Sequence, residues 1–170
     1  MIANLACGTM LLLAMWWDIR THHIPNALTL IGLTVGIVIA NLPGGLGWQE
    51  AVFGTLAGLL AFMPLYLFRL LGAGDVKLLA ALGAYLGIPG IFEVALLSGL
   101  AGGLLALSIA LFHGELKETI GLMGKTLANL PWQFTSSSST FEPITVTSSH
   151  KLPYAIAISI GTLGYWMLKH

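Results

Sequence analysis

The chain has 170 residues, of which 56% are hydrophobic and only 8% charged, with zero net charge and a mean hydropathy of +0.88. Soluble domains carry roughly 25% charged residues, so this composition excludes a water-exposed globular domain and indicates an integral membrane protein. The charge balance gives no reason to expect a nucleic-acid partner, and the single cysteine, Cys7, excludes an internal disulfide and a cysteine-cluster zinc site.

Charged residues divide the sequence into apolar segments. A membrane-spanning helix needs about 20 apolar residues, and the charge-free stretches are Met1–Trp17, Thr21–Gln49, Ala51–Phe68, Leu78–Phe92, Val94–Gly114 and Leu152–Leu168. We therefore predict an all-α, polytopic membrane protein whose single transmembrane domain, residues 1–170, contains about six transmembrane helices.

In chain order, the first helix is predicted over about Ile2 to Trp17. Pro25 disfavours a helical Ile24 and separates this helix from the second. The later helices are predicted over about Ala27 to Leu42, Ala51 to Leu71, Asp75 or Lys77 to Ile88, Ile91 to Phe112 and Pro153 to Leu168. The fourth of these is expected to end early, because Pro89-Gly90 follows it.

Residues 113–152 form a long connection of a different character. Apolar side chains recur there at spacings of four and three, as in an amphipathic helix, at Leu116, Ile120, Met123, Leu127 and Leu130. Such a helix lies either on the membrane surface or against the protein's own loops. The run Thr-Ser-Ser-Ser-Ser-Thr at 135–140 indicates a flexible polar linker after it.

Pairs of glycines spaced by four residues occur in several of the predicted helices. Such pairs allow two helix backbones to approach closely. The pairs are Gly32/Gly36, Gly54/Gly58, Gly83/Gly87 and Gly99/Gly103. We interpret them as evidence for compact helix packing.

The basic residues are distributed unevenly between the two sides of a six-helix chain. One side would hold Arg20, Arg69, Lys77, Lys117, Lys125 and Lys151, and the other only Lys169. Because cytoplasmic loops are enriched in Lys and Arg, we predict that the first side is cytoplasmic and that both termini lie on the other side. Asp18 and Asp75 are then at the cytoplasmic ends of their helices.

Two aspartates interrupt the apolar pattern. Asp18 follows the run 11–17, and Asp75 lies within Gly72-Ala73-Gly74-Asp75 between two apolar runs. An acid at such a position is costly and indicates a functional site. Two neighbouring carboxylates share a proton, so one can act as a base towards water while the other donates a proton to a carbonyl. We interpret the two as the catalytic pair of an aspartic protease, which needs neither a metal nor a cofactor.

Other interpretations of the same residues remain open. Asp18 also fits an interfacial position, and Asp75 also fits the N-cap of the helix that follows it. Lys77 and Arg20 serve either to tune the pair or to anchor the protein at the membrane surface. Intramembrane acids near basic residues also form proton relays, so a proton-coupled transporter is the main alternative function.

Two motifs connect these residues to a known family. The patterns Asp18-x-Arg20-x-x-x-Ile24-Pro25-Asn26 and Gly72-x-Gly74-Asp75-x-Lys77-Leu78 resemble the two signature motifs of type IV prepilin peptidases. These are intramembrane aspartic proteases of the Gly-x-Gly-Asp class, distantly akin in motif to presenilin and signal peptide peptidase. The segment Lys151-Leu152-Pro153-Tyr154-Ala155 is similar, more loosely, to the start of the family's last helix.

The resemblance implies an activity and a place for it. Asp18 and Asp75 would remove the short, basic, cytoplasmic leader from prepilins or pseudopilins, in the bacterial inner membrane and at its cytoplasmic face. The resemblance further predicts that the remaining motif residues bind the substrate or tune the pair, namely Gly72, Gly74, Lys77, Arg20, Pro25 and Asn26. Within the same biology, a non-catalytic scaffold for pilus assembly is the alternative to a peptidase.

Larger members of this family carry an N-terminal cytoplasmic domain with paired cysteines, and they also methylate the new N-terminus of the pilin using S-adenosylmethionine. The present sequence shows neither the paired cysteines nor room for that domain. It therefore resembles the small, peptidase-only branch associated with tight-adherence (Flp-type) pilus systems. On this basis we predict no methyltransferase activity.

Overall fold

A computed structural model describes residues 2–67, 71–113 and 154–169. Within these ranges the regular secondary structure is entirely helical, in the order α1 (Ile2–Thr21), α2 (Asn26–Ala40), α3 (Trp48–Leu67), α4 (Ala73–His113) and α5 (Tyr154–Lys169). In the described part, α1, α3 and the stretch Ala73–Ser108 of α4 are long and apolar enough to cross a membrane, and α2 is a shorter apolar helix. The predicted all-α class is confirmed for these residues.

The helix α4 is broken at Gly87 into two segments, residues 73–86 and 88–113. Gly87 has φ 68° and ψ −175°, a combination that is essentially confined to glycine. The prediction that Pro89-Gly90 ends this helix was therefore wrong by two residues. Pro89 lies in the first turn of the second segment, where its missing N–H interrupts no helical hydrogen bond.

The end of α1 also differs from the prediction. The helix continues to Thr21 instead of stopping at Trp17, so Asp18 lies inside its last turn. His22 then adopts a positive φ of 49° and ends the helix. Apart from His113, the predicted amphipathic helix and serine-rich linker lie outside the described residues, as does Arg69.

The first segment of α4 lies at the centre of the bundle. Its residues Leu78, Leu79 and Leu82 are fully buried, in one apolar core with Cys7 of α1, Phe62 of α3 and Ile158 of α5. The phenol of Tyr85 donates a hydrogen bond of 2.7 Å to the carbonyl of Gly32 in α2. The outward faces carry exposed leucines, such as Leu12, Leu30, Leu60 and Leu96, as expected for surfaces in contact with lipid.

Helices α3 and α4 are in close backbone contact at Gly54 and Gly83. A Cβ atom added to either glycine would overlap the carbonyl oxygen of the other. One turn further along α3, a Cβ on Gly58 would lie 2.5 Å from the carbonyl oxygen of Leu79. The close packing predicted from the glycine spacing is confirmed here, whereas a Cβ on Gly99 would meet nothing within 4 Å.

Replacing Gly87 with alanine is expected to destabilise the protein by about 1–3 kcal/mol, because an L side chain is strained at this φ and ψ. The added Cβ would also lie 3.2 Å from Oε2 of Glu50. Thermal unfolding in detergent measures the change, with Gly99→Ala as the control inside a regular helix. Equal unfolding temperatures for the two variants would show that the break does not depend on glycine.

Candidate active site

The structure brings Asp18 and Asp75 together at one end of the helices. Asp18 lies in the last turn of α1 and Asp75 in the first turn of α4. Both side chains are buried, with 6% and 8% of their surfaces exposed. The charge of Asp18 acts on Asp75, so two acids that are far apart in the sequence lie at the same end of the bundle.

The turn before α4 fixes the direction of the Asp75 carboxylate. The Gly72 N–H donates a hydrogen bond of 3.2 Å to Oδ2 of Asp75, and the Asp75 N–H donates one of 3.1 Å to the Gly72 carbonyl. This reciprocal pair closes the turn at the start of the helix. It uses one carboxylate oxygen and leaves the other without a hydrogen bond among the described residues.

The Asp18 carboxylate is held from a different part of the chain. The backbone N–H of Ala155, in the first turn of α5, donates a buried hydrogen bond of 3.1 Å to Oδ2 of Asp18. Sequence reasoning missed this contact. A backbone donor has no sequence signal of its own, and only the similarity of residues 151–155 to the start of a family helix pointed to this region.

Tyr154 is a second site residue that sequence reasoning did not find. It lies within electrostatic range of Asp75, and its hydroxyl donates a hydrogen bond of 3.3 Å to the Ser98 carbonyl. Its ring meets that of Phe62 edge-on, with 5.8 Å between the ring centroids. The first turn of α5 therefore forms a third wall of the site, beside α1 and α4.

The two sequence motifs are in direct contact. Ile24 is only 3% exposed, and a Cβ added to Gly74 would lie 3.1 Å from its Cβ atom. Nearby, the Lys77 ammonium donates a hydrogen bond of 2.9 Å to Oδ1 of Asn26. Pro25 directly precedes α2, and its carbonyl accepts a hydrogen bond of 3.1 Å from Leu28.

Arg20 is placed differently from the other motif residues. Its side chain is exposed, and Cζ of its guanidinium lies 4.0 Å from the centroid of the Trp16 ring. Stacking of this kind suits a cation at a membrane interface. Of the eight residues predicted for the site, Arg20 is the one that the structure places against a neighbouring aromatic ring of α1.

Each of the two buried carboxylates has one oxygen that accepts no hydrogen bond from the described residues. A pair of carboxylates can exchange protons with a water and with a carbonyl, which is the chemistry of peptide-bond hydrolysis without a covalent intermediate. In the part of the chain that the structure describes, no three His, Cys, Asp or Glu side chains are grouped so that they could hold a metal ion. The absence of a metal from the reaction stays a prediction.

Gly74→Val is expected to lower the activity of the site about 10- to 100-fold. The valine side chain would press on buried Ile24 and shift Asp75 relative to Asp18, and small displacements of catalytic groups have effects of this size. The control is Ala73→Val, one residue earlier at an exposed position. Initial rates of substrate cleavage measure both, and equal rates for the two variants would contradict this account of Gly74.

Apolar helices with two acids at one end are compatible with a membrane-embedded peptidase. The sequence model of the type IV leader peptidase family matches residues 5–107, and the chain belongs to this family. The family predicted from the two motifs is therefore confirmed. The peptidase-only branch within it stays a prediction.

Relatives of known name agree with this assignment. The prepilin leader peptidase/N-methyltransferase of Aeromonas hydrophila is 34% identical over 140 residues, which cover 74% of this chain and 48% of the relative. The protein of the same name from Pectobacterium carotovorum subsp. carotovorum is 40% identical over 126 residues, 68% of this chain and 42% of the relative. The chain thus spans about half the length, or less, of these curated relatives. No significant match was found among solved structures.

Proposed function

We propose that this protein is an aspartic endopeptidase of the membrane that removes the leader peptide from prepilins or pseudopilins, with Asp18 and Asp75 as its catalytic pair. The observation that carries the proposal is the meeting of these two buried acids at one end of an apolar bundle. Membership of the type IV leader peptidase family supplies the substrate class. No observation in the described residues favours the transporter or scaffold alternatives.

The reaction follows from a pair that shares one proton. The ionised carboxylate takes a proton from a water, whose oxygen attacks the carbonyl carbon of the scissile peptide. The protonated carboxylate donates to the carbonyl oxygen as the tetrahedral intermediate forms. When the intermediate collapses, the C–N bond breaks, the leaving nitrogen receives a proton from the first carboxylate, and the second carboxylate recovers its own proton. The pair is then in its starting state.

A purely structural role for the two acids explains less. Each accepts a hydrogen bond from a backbone N–H at a helix start, as capping residues do. A cap requires only an acceptor, and Asn or Ser would supply one without a charge. Placing two carboxylates within range of each other's charge adds repulsion that capping does not need. This juxtaposition supports catalysis over capping.

We further propose six membrane crossings, with the break at Gly87 separating the fourth from the fifth. Asp18, Asp75 and Ala155 mark one end of the bundle, called here the aspartate end. At the opposite end, a cavity of about 370 Å³ is lined by residues from the start of α1, the break in α4 and the end of α5, including Asn4, Pro89 and Lys169. The two segments of α4 therefore run between the ends in opposite directions, because Gly102 in the second segment lies against Tyr154.

The distribution of Lys and Arg supports the orientation of this bundle. With six crossings, the alternation of loops along the sequence assigns six of the seven basic residues to the side of Asp18 and Asp75. We propose that this end faces the cytoplasm of a bacterial inner membrane and that the ends of the present chain face the other side. The leader of a prepilin is cytoplasmic by the family resemblance, so this orientation places substrate and catalytic pair on the same side.

The other predicted site residues are proposed to contact the substrate or to shape the pair. Asn26 and Lys77 line a mainly apolar groove of about 430 Å³ between α2, α3 and α4, together with Leu33 and Leu59. We propose that the apolar segment following the leader lies in this groove. Gly74 allows the close approach of Ile24 and so keeps the two motifs in contact, whereas Gly72 orients Asp75 and Pro25 directly precedes α2. The stacking of Arg20 on Trp16 supports an anchoring role.

The names of the relatives include an N-methyltransferase activity. We propose that the present chain cleaves without methylating. Two observations support this proposal. The proposed site uses only two carboxylates, and the single cysteine, Cys7, is buried in α1. By the resemblance, methylating relatives carry paired cysteines instead. Transfer of a labelled methyl group from S-adenosylmethionine to a processed pilin tests this proposal, and incorporation would overturn it.

The proposed activity is tested by reconstituting the protein in liposomes with a prepilin. We expect one cut at the leader junction, and two products whose masses sum to that of the precursor plus one water. A wild-type protein that leaves the tested prepilins intact while it conducts protons across the liposome membrane would support the transporter instead.

A further inference from the structure

Ala155 is the second residue of α5, and it is completely buried. Its N–H donates to Oδ2 of Asp18 at 3.1 Å, across 137 residues of sequence. We propose that this N–H is the positioning group of the Asp18 carboxylate, so that the first turn of α5 belongs to the catalytic apparatus. The inference rests on the proposed function, because it assigns a role to Asp18 in that reaction.

The donor suits this role because it has no competing acceptor within its own helix. The first N–H groups of an α-helix lack acceptors within the helix. In a buried position, water does not compete for such a donor, and a hydrogen bond to a carboxylate is stronger than one between neutral groups. Binding one oxygen of Asp18 fixes the orientation of the whole carboxylate, and the second oxygen then faces the reacting water and substrate.

The donor itself is held firmly in place. Tyr154, the preceding residue, is tied to the Ser98 carbonyl through its hydroxyl and packs on Phe62. Further along α5, a Cβ on Gly161 would overlap Ser98. These contacts set the position of α5 against the second segment of α4. A rigid support of this kind is what a catalytic group requires for a productive geometry.

The competing explanation is that Asp18 merely caps α5. In that case the bond stabilises the helix, and its loss changes neither kcat nor the pH dependence of the reaction. The two explanations differ in the pH dependence of the reaction, because an N–H donor favours the charged form of a carboxylate. Among the described residues, the charge of His22 after α1 acts on Asp18, and the charge of Asp18 acts on Asp75 of α4. A change at Ala155 alters neither of these groups.

The test removes the backbone N–H of Ala155 and leaves its methyl side chain intact. Incorporation of L-lactic acid at position 155 replaces the backbone N–H with an ester oxygen, and the matched control places the hydroxy-acid analogue of isoleucine at Ile156. We expect kcat for prepilin cleavage to fall about 10- to 100-fold at unchanged KM in the position-155 protein alone. We also expect the acidic limb of its pH–rate profile to move to higher pH.

A position-155 ester with wild-type kcat and pH profile would overturn the positioning role. So would an ester that lowers the unfolding temperature and leaves the pH profile unchanged, which is the result that capping predicts. Failure of the wild-type protein to cleave would instead count against the proposed function, so the two failures are distinguishable.

Discussion

Replacing either Asp18 or Asp75 with asparagine is expected to lower the rate of leader cleavage by about 100- to 10,000-fold, the contribution typical of a general acid or base. Asparagine has nearly the same size as aspartate and can still accept the hydrogen bond from Ala155 or Gly72. It cannot take up or release a proton. Initial rates of cleavage in liposomes measure the loss directly.

The folded state of these variants is expected to survive, because the hydrogen bonds at the starts of α4 and α5 are retained. Glu93→Gln provides the matched control, since it makes the same acid-to-amide change at an exposed position in α4 near Lys169. It should cleave at the wild-type rate. If Asp18→Asn or Asp75→Asn also cleaves at that rate, the substituted residue has a structural role and the two-carboxylate mechanism is wrong.

Replacing Gly54 or Gly83 with alanine is expected to destabilise the protein by about 3 kcal/mol or more, at the upper end of the range for overpacked cores. The added Cβ meets a carbonyl oxygen of the facing helix. Backbone on both sides cannot move aside as a side chain can, so α3 and α4 must separate. The unfolding temperature in detergent should therefore fall.

Activity should fall in the same variants, because the displaced first segment of α4 begins with the turn that carries Asp75. Gly99→Ala is the control, since its Cβ meets nothing within 4 Å and alanine is favoured over glycine within a helix. This control should be as stable as wild type or slightly more so. If Gly54→Ala and Gly83→Ala had the same unfolding temperature and activity as Gly99→Ala, the close approach of α3 and α4 would be unnecessary for the fold.

The positions of the helices could be predicted from the charge-free segments, and their ends could not. The prediction ended the first helix at the first charge, whereas α1 continues through Asp18 and Arg20 to Thr21. A charged residue does not end a helix at a membrane surface, because water there can hydrate the charged side chain while the backbone stays helical. At the break in α4, the expected effect of Pro89 was absent because proline fits a first turn, and the φ of Gly87 decided the position.

The two aspartates were predictable because each stands alone beside apolar residues, where an acid is costly. Their contact with α5 was not, since it depends on a backbone N–H that every residue except proline possesses. The pairing of Lys77 with Asn26 likewise could not be foreseen, although both residues were predicted for the site. Motif spacing identifies such residues without showing which of them meet.

The central claim is that one chain supplies both carboxylates of a single site. It is tested most directly by reconstituting Asp18→Asn and Asp75→Asn together in the same liposomes and measuring prepilin cleavage. Because α1 and α4 of one chain bring the pair together, no chain in the mixture has two aspartates, and we predict no more cleavage than with either variant alone. Recovery of a substantial part of the wild-type rate would show that the two acids act from different chains, and it would contradict this account of the site.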